Sequence, residues 1–482
     1  MHVLEFDMQY RIEKDSLGER KIPDEKYYGV QTDRAIDNFK ITGLAMSTRP
    51  KLVRALAAVK QAAAMANFEL GLLKSDVAEA IIKASQEVYV GKFYDEFPVD
   101  LIQGGAGTSA NMNANEVICN RALEIWGHKK GEYDYIHPNN HINLSQSTND
   151  VYPTAAKIAI AWFSDDIISA IELLRDAFFA KAIEFKDVIK MGRTQLQDAV
   201  PMTLGQEFHA FGVAIDEDIK YLKESLILCY IINMGATAIG TGINTLPGYS
   251  DSVCKHLRKI TGLPLTNAED LVEATSDTGA FVSVSSVLKR IAIKLNKVCN
   301  DLRLLSSGPK AGLGDINLPA MQPGSSIMPA KVNPVIPEVV NQICFLVIGY
   351  DLATTMAASG GQLQLNAFEP VMVYNILESI VLLQRGCNTL REKCVDGITA
   401  NAEHCLNEVK HSAGLLTAFV NYIGYEAAAK IAKEVQKYPE KTVYELVKNS
   451  GLLTESEIMD ILSPENMICP KSTLSILGKK QK

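Results

Sequence analysis

Two long apolar stripes restrict the folds open to this chain. Phe163, Ile167, Ile171, Leu174, Phe178, Ala182 and Phe185 step by 4, 4, 3, 4, 4 and 3. Val284, Val287, Ile291, Leu295, Val298, Leu302 and Leu305 step in a similar way. Steps of three and four keep one face of an α-helix apolar, and each run covers about six turns, or roughly 30 Å. Residues 199–230 and 339–358 also read as long helices, and strand alternation is scarce. Helices this long, apolar on more than one face, need several neighbours. A bundle follows, and its leftover apolar faces suggest an oligomer. The expected fold class is all-α: an elongated multi-helix central bundle with smaller N- and C-terminal helical domains.

The 482 residues allow roughly three domains, and the expected bounds are 1–147, 148–400 and 401–482. The last is more charged and has shorter helices; Gly451 closes one, and Ser463-Pro464 opens a final turn. Lys plus Arg number 48 against 56 Asp plus Glu, a net charge of -8. Nucleic-acid binding needs clustered cations, so no nucleic-acid partner is expected. Only Lys479, Lys480 and Lys482 cluster, and they read as a solvated tail. The N-terminus lacks the apolar core of a secretory signal. No unbroken apolar run reaches about 18 residues. The closest, 226–240, is broken by Asn233 and Gly235, so no membrane partner is expected. The nine cysteines are scattered singly with no CxxC, which fits free thiols in a reducing cytoplasm. No His/Cys group has zinc-ligand spacing, so no metal site is expected.

Four Gly- and Pro-rich loops carry the chemistry. The longest, residues 312–338, reads GLGDINLPAMQPGSSIMPAKVNPVIPE, and prolines at 319, 323, 329, 334 and 337 forbid continuous helix. A loop this long inside a compact bundle is usually functional or a linker. Gly324, Ser325 and Ser326 offer hydroxyls and free backbone N–H groups, with the Lys331 cation and Asn333 amide close behind. That set suits carboxylate binding. The second loop, 137–154, places Ser147, Thr148 and Asn149 at a helix start, where anions are favoured. Simple N-capping explains the same three residues. The third, GRTQLQDAVP at 192–201, and the fourth, GGAGTSANMNANE at 104–116, set Thr or Ser beside Gly. Turn formation alone accounts for either. GGAGTS has neither GxGxxG spacing nor a P-loop GK[ST].

The run GSSIMPAKVNP closely resembles the consensus loop GSSxMPxKxNP of the aspartase/fumarase superfamily. The other three loops match that superfamily in order and spacing. So do YYGVQTDRA at 27–35 and NYIGYEAAAKIAKE at 421–434, and the resemblance covers essentially the whole chain. It implies a homotetramer, with each active site built from loops of three subunits.

It also implies a reaction: proton abstraction beside a carboxylate, then loss of the group on the neighbouring carbon to give fumarate. Removing that proton doubles the charge on the carboxylate, giving an aci-carboxylate that preorganised donors must stabilise. One such donor is typically worth about 3 kcal/mol. By resemblance the donors are Thr108, Ser147, Thr148 and Ser326. Thr194, Lys331 and Asn333 hold the substrate, with the last two on its other carboxylate, and Asn149 contacts it too. Ser325 matches the general base, working as an alkoxide stabilised by N–H groups and Lys331. Ser326, one residue away, competes for that role; the family pattern favours Ser325.

Two positions separate the subfamilies. Class II fumarases resemble GRTHxQDA and SSND, whereas here Gln195 replaces the histidine and 147–150 reads STND. Both features resemble the aspartate ammonia-lyases. Expelling hydroxide needs an acid such as histidine paired with a carboxylate, which would match Glu338. Expelling ammonia needs none, and Gln195 can still position substrate by hydrogen bonds. The implied partners are L-aspartate, fumarate and ammonia. No cofactor is required, and magnesium activation is not legible in the residues. The alternatives are a fumarate hydratase of the same fold and a non-enzymatic scaffold. The chain departs from the family at Ala330, usually Gly, and at Asn140, where HPNN replaces HPND, so the secondary anion site of fumarases is not carried over. His137 reads as a structural histidine.

Overall fold

The computed structural model describes residues 9–438, 440–463 and 466–467. The predicted turn at Pro464 and the Lys479 to Lys482 tail lie outside the described residues. In chain order, β1 (Tyr10–Asp15) and β2 (Gly18–Pro23) precede α1 (Val30–Asn38), α2 (Pro50–Glu69), α3 (Ser75–Tyr89) and α4 (Thr108–Ile125). Then come α5 (Thr148–Glu184), β3 (Ile189–Thr194), β4 (Gln197–Thr203), α6 (Leu204–Ser225), α7 (Tyr249–Thr261), α8 (Leu271–Ser276) and α9 (Gly279–Leu305). After α10 (Val335–Ser359) and α11 (Glu369–Lys393), five short helices follow: α12 (Ala402–His411), α13 (Val420–Ile423), α14 (Tyr425–Lys437), α15 (Val443–Ser450) and α16 (Glu455–Ile461). The fold is all-α, with sheets of two strands only among the described residues.

The two apolar stripes fall where the periodicity puts them, on α5 and α9, save that Phe185 lies just past the end of α5; their residues are buried apart from Val287, which is partly buried. The chain divides into two compact units: 1–168, 220–292 and 345–384 form one, and 169–219, 293–344 and 385–482 the other. In the first, α2 packs against α3, α4 and α7. Seven alanines, at 55, 57, 58, 62, 63, 64 and 66, let these backbones approach, and α2 is buried over nearly all its faces. In the second, Met191 of the β3–β4 hairpin joins a core with Val409, Leu415, Phe419, Ile431, Val443 and Ile458.

Two expectations fail. Residues 199–230 are not one helix, and 192–201 is not an open loop. β3 and β4 pair antiparallel, with Met191 opposite Pro201 and Thr194 opposite Gln197. Pro201 cannot donate inside a helix, and a short apolar run has no periodicity that separates strand from helix. The helix starts after Thr203, whose Oγ1 accepts the Gln206 N–H at 3.1 Å while Gln206 Oε1 accepts the Thr203 N–H at 3.0 Å. Thr203-Leu-Gly-Gln206 is a capping box legible in the sequence. In addition, α10 reaches the length and apolarity of a membrane span, which counting unbroken runs missed because Glu338, Asn341 and Asp351 interrupt it. It leaves Phe345, Leu352 and Met356 exposed, at 58%, 63% and 67%.

Candidate active site

In the first unit, the N-termini of α4 and α5 open on one cavity of about 630 Å³ that includes Thr108, Asn111, Asn143, Ser147, Thr148 and Thr237 in its wall. A helix N-terminus carries unpaired N–H groups and a partial positive charge, so two of them suit an anion. Gly107 precedes α4 at φ +90°, and a Cβ there would lie 2.3 Å from the Tyr152 ring of α5. Only glycine lets the two helix starts come this close.

Ser147 does cap α5: its Oγ accepts the Asn149 N–H at 3.2 Å. Capping and binding are compatible, because the hydroxyl keeps its own hydrogen to donate. Asn149 donates from Nδ2 to the Ala238 carbonyl at 2.8 Å, tying the helix start to the 233–240 turn. The Thr108 hydroxyl donates to the Gly105 carbonyl at 2.7 Å. Thr148 Oγ1 accepts from Asn111 Nδ2 at 3.1 Å.

Behind this wall lie charges the sequence reading passed over. Asp150 is fully buried and accepts N–H groups from Ser147 (3.0 Å), Gly235 (3.2 Å) and Thr237 (3.0 Å). Burial pushes its carboxyl up to about 6 against the pull of those N–H groups. Lys60, in the middle of α2, is fully buried as well. Its one signal was its setting: a lysine inside ALAAVKQAAAMAN interrupts an apolar, small-residue helix. His137 Nδ1 accepts N–H groups from Asn139 and Asn140, capping the turn that follows it.

In the second unit, Ser325, Ser326 and Lys331 share a cavity of about 570 Å³. Ser325 Oγ accepts two backbone N–H groups, from Ile327 at 3.1 Å and Met328 at 2.9 Å. Two N–H groups converging on one hydroxyl oxygen favour its deprotonated form. Ser326 is exposed and has no such pair among the described hydrogen bonds. The loop is pinned at its neck: the Gly324 N–H donates to the Lys331 carbonyl at 2.7 Å, and Asn333 Nδ2 donates to the Gly324 carbonyl at 2.8 Å. Asn333 thus spends one amide hydrogen on the loop and keeps one. Glu338 stands in the first turn of α10, where the helix dipole favours a carboxylate.

Thr194 and Gln195 lie at the exposed tip of the β3–β4 hairpin. Gln195 and Leu196 form its two-residue turn at φ +54° and +62°, a conformation hairpins normally give to Asn or Gly. The hairpin is fixed to the start of the long loop by Asp315, which pairs with Lys190 at 3.1 Å and Arg193 at 2.8 Å. The expected site residues therefore form three groups: the cavity with Thr108, Ser147 and Thr148, the Thr194–Gln195 tip, and the Ser325 loop. Neither unit gathers all three into one described cavity.

This combination of a helical fold with polar, Gly- and Pro-rich loops that line its cavities defines a class. Residues 18–349 match the lyase family model, and residues 415–469 match the fumarase C C-terminus model. The chain belongs to this lyase family, within the aspartase/fumarase superfamily. More narrowly, it is 57% identical to an aspartate ammonia-lyase of Pseudomonas aeruginosa, over 96% of this chain and 97% of that one. Enzymes of the same name from Helicobacter pylori and Escherichia coli are 55% and 54% identical, each over 95% of this chain and 98% and 96% of theirs. Among solved structures, the cobalt-bound fumarate lyase:delta crystallin of Brucella melitensis superposes with a TM-score of 0.93 at 53% identity, over 96% of this chain and all of that one. A class II fumarase from Schistosoma mansoni gives 0.91 at 36% identity, over 96% of this chain and all of that one.

Proposed function

We propose that this protein is a carbon-nitrogen lyase that reversibly converts L-aspartate to fumarate and ammonia. The observation that carries the mechanism is the pair of N–H groups on Ser325 Oγ. They lower the cost of an alkoxide, and the alkoxide takes the proton from the carbon beside one substrate carboxylate. That carboxylate becomes an aci-carboxylate, stabilised by the hydroxyls of Ser147, Thr148 and Ser326, and by that of Thr108 once its hydrogen turns from the Gly105 carbonyl to the substrate. Lys331 and the remaining Asn333 hydrogen hold the other carboxylate, while Thr194, Gln195 and Asn149 position the molecule. The C–N bond then breaks with its electrons leaving on nitrogen, so ammonia departs neutral and no acid is needed. Gln195, which does not titrate, is consistent with that step. Each step has a protein group to serve it or needs none, so the reading assigns no task to a cofactor.

The reading includes a homotetramer whose sites draw loops from three subunits. It is supported by the separation of the site residues into three groups and by the exposed apolar stripe of α10. Obligate interfaces bury such stripes. A cytoplasmic location, without nucleic-acid or membrane partners, is supported by the acidic charge balance and by eight buried free cysteines among the described residues.

The test is fumarate formation, followed by ultraviolet absorbance, from L-aspartate and L-malate in parallel. Release from aspartate alone, lost in Ser325→Ala, is the expected result. Release from malate would overturn the role given to Gln195.

A further inference from the structure

Lys60 does not itself line the Thr148 cavity, yet all three of its hydrogen-bond acceptors do. Its Nζ donates to Asn111 Oδ1 at 2.6 Å, Asn143 Oδ1 at 3.0 Å and Gln146 Oε1 at 2.9 Å. An ammonium has three hydrogens and a neutral amine two, so this cage fits the charged form. Asp150 is the charged group that acts on it, and burial draws Lys60 down to about 7. A cation kept at such a cost in a helix interior needs a reason.

The geometry supplies one. An amide offers an acceptor at one end and donors at the other. With Oδ1 held on Lys60, Asn111 turns Nδ2 the other way, where it donates to Thr148 Oγ1 and to Asn143 Oδ1, each at 3.1 Å; Asn143 Oδ1 is itself held by Lys60. A hydroxyl that accepts on this side keeps its hydrogen for an acceptor in the cavity. Were the Asn111 amide reversed, its oxygen would face Thr148 and take that hydrogen instead.

We propose that Lys60 is a positioning residue for dicarboxylate binding: acting through Asn111, it sets the Thr148 hydroxyl as a donor to a substrate carboxylate and places a positive charge behind the cavity wall. The proposal rests on the reading of Thr148 as a substrate-binding group.

A double-mutant cycle on the full-length protein separates the two ideas, with the unreactive dicarboxylate succinate as probe and its Kd measured by calorimetry. Thr148→Val alone raises Kd about tenfold, as expected for a hydrogen bond to a charged acceptor. Lys60→Met alone raises it at least tenfold. In the Lys60→Met background, Thr148→Val adds no more than about threefold, because the hydroxyl is no longer set as a donor. A full tenfold loss from Thr148→Val in both backgrounds would make Lys60 merely structural and overturn the proposal. No effect of Thr148→Val in the parent protein would overturn the Thr148 reading, and the proposal with it. If Lys60→Met does not fold, Asn111→Ala takes its place, with the same non-additivity expected.

Discussion

Gly107 and Tyr152 are in contact in a way no other residue at position 107 allows. A Cβ built on Gly107 would sit 2.3 to 2.7 Å from three carbons of the Tyr152 ring. The backbone there is also at φ +90°, where an L side chain is strained. The contact sets how closely the start of α4, with Thr108, approaches the start of α5, with Ser147 and Thr148. Gly107→Ala should cost about 3 kcal/mol or more, from overpacking of about 1–3 kcal/mol and backbone strain of about 1–2 kcal/mol. A melting temperature several degrees lower, with a raised KM for aspartate, is the expected outcome. An unchanged KM would show that the helix starts do not need this spacing to bind substrate.

Ala330 holds φ +65° inside the Ser325 loop, at a position where the family pattern has glycine. Ala330→Gly relieves local strain of about 1 kcal/mol while adding chain entropy, so kcat/KM should stay within threefold. Ala330→Val places a β-branched residue where it is a genuine outlier and should lower kcat/KM at least tenfold. Equal activity of the two variants would mean that the backbone at 330 does not shape the loop.

Gln195 sits at an exposed turn with φ +54°, a conformation histidine tolerates better than most residues. Gln195→His therefore folds, and it introduces a titrating group with a pKa near 6.5. The deamination profile of kcat/KM should gain an inflection between about pH 6 and 7 that the parent lacks. Superimposable profiles would indicate that position 195 does not reach the substrate.

Leu352 is 63% exposed on α10, in line with Phe345 and Met356. Leu352→Arg puts a charge into the proposed subunit interface. It should reduce the particle mass seen by light scattering and abolish activity with it, because the proposed site draws its loops from several subunits. An intact, active assembly would remove α10 from the interface.

Glu116 accepts N–H groups from Gly29 (2.8 Å), Gln31 (2.8 Å) and Thr32 (3.1 Å) at the start of α1. Burial nevertheless pushes its carboxyl up to about 7 from its ordinary 4.5. A raised folded-state value means that the folded protein binds more protons between those limits. The group's contribution to stability is fully present below about 4.5 and is lost as pH rises through about 7. Glu116→Gln removes this titration, so the stability advantage of the parent over the variant should shrink from pH 5 to pH 8. A difference in melting temperature that stays constant or grows over that range would contradict the sign.

The stripe from Phe163 to Phe185 and the one from Val284 to Leu305 determined α5 and α9 without any tertiary help, because helical periodicity is a local property. The Ser325 loop was legible for the same reason: its prolines, its two hydroxyls and the Lys331 and Asn333 that follow are contiguous. The hairpin at 189–203 was not, since Met191 meets Pro201 only through pairing, and neither strand alone carries a period long enough to read. Lys60 was less legible still. A lone lysine on a helix normally belongs to its solvated face. Only the packing of α3, α4 and α7 around α2 buries it, while α4 and the loop before α5 turn the amide oxygens of Asn111, Asn143 and Gln146 towards it. Sequence order thus determined which groups this protein carries; tertiary structure decided which of them are desolvated together, and burial is what turns an ordinary charge into one that can orient a neighbour.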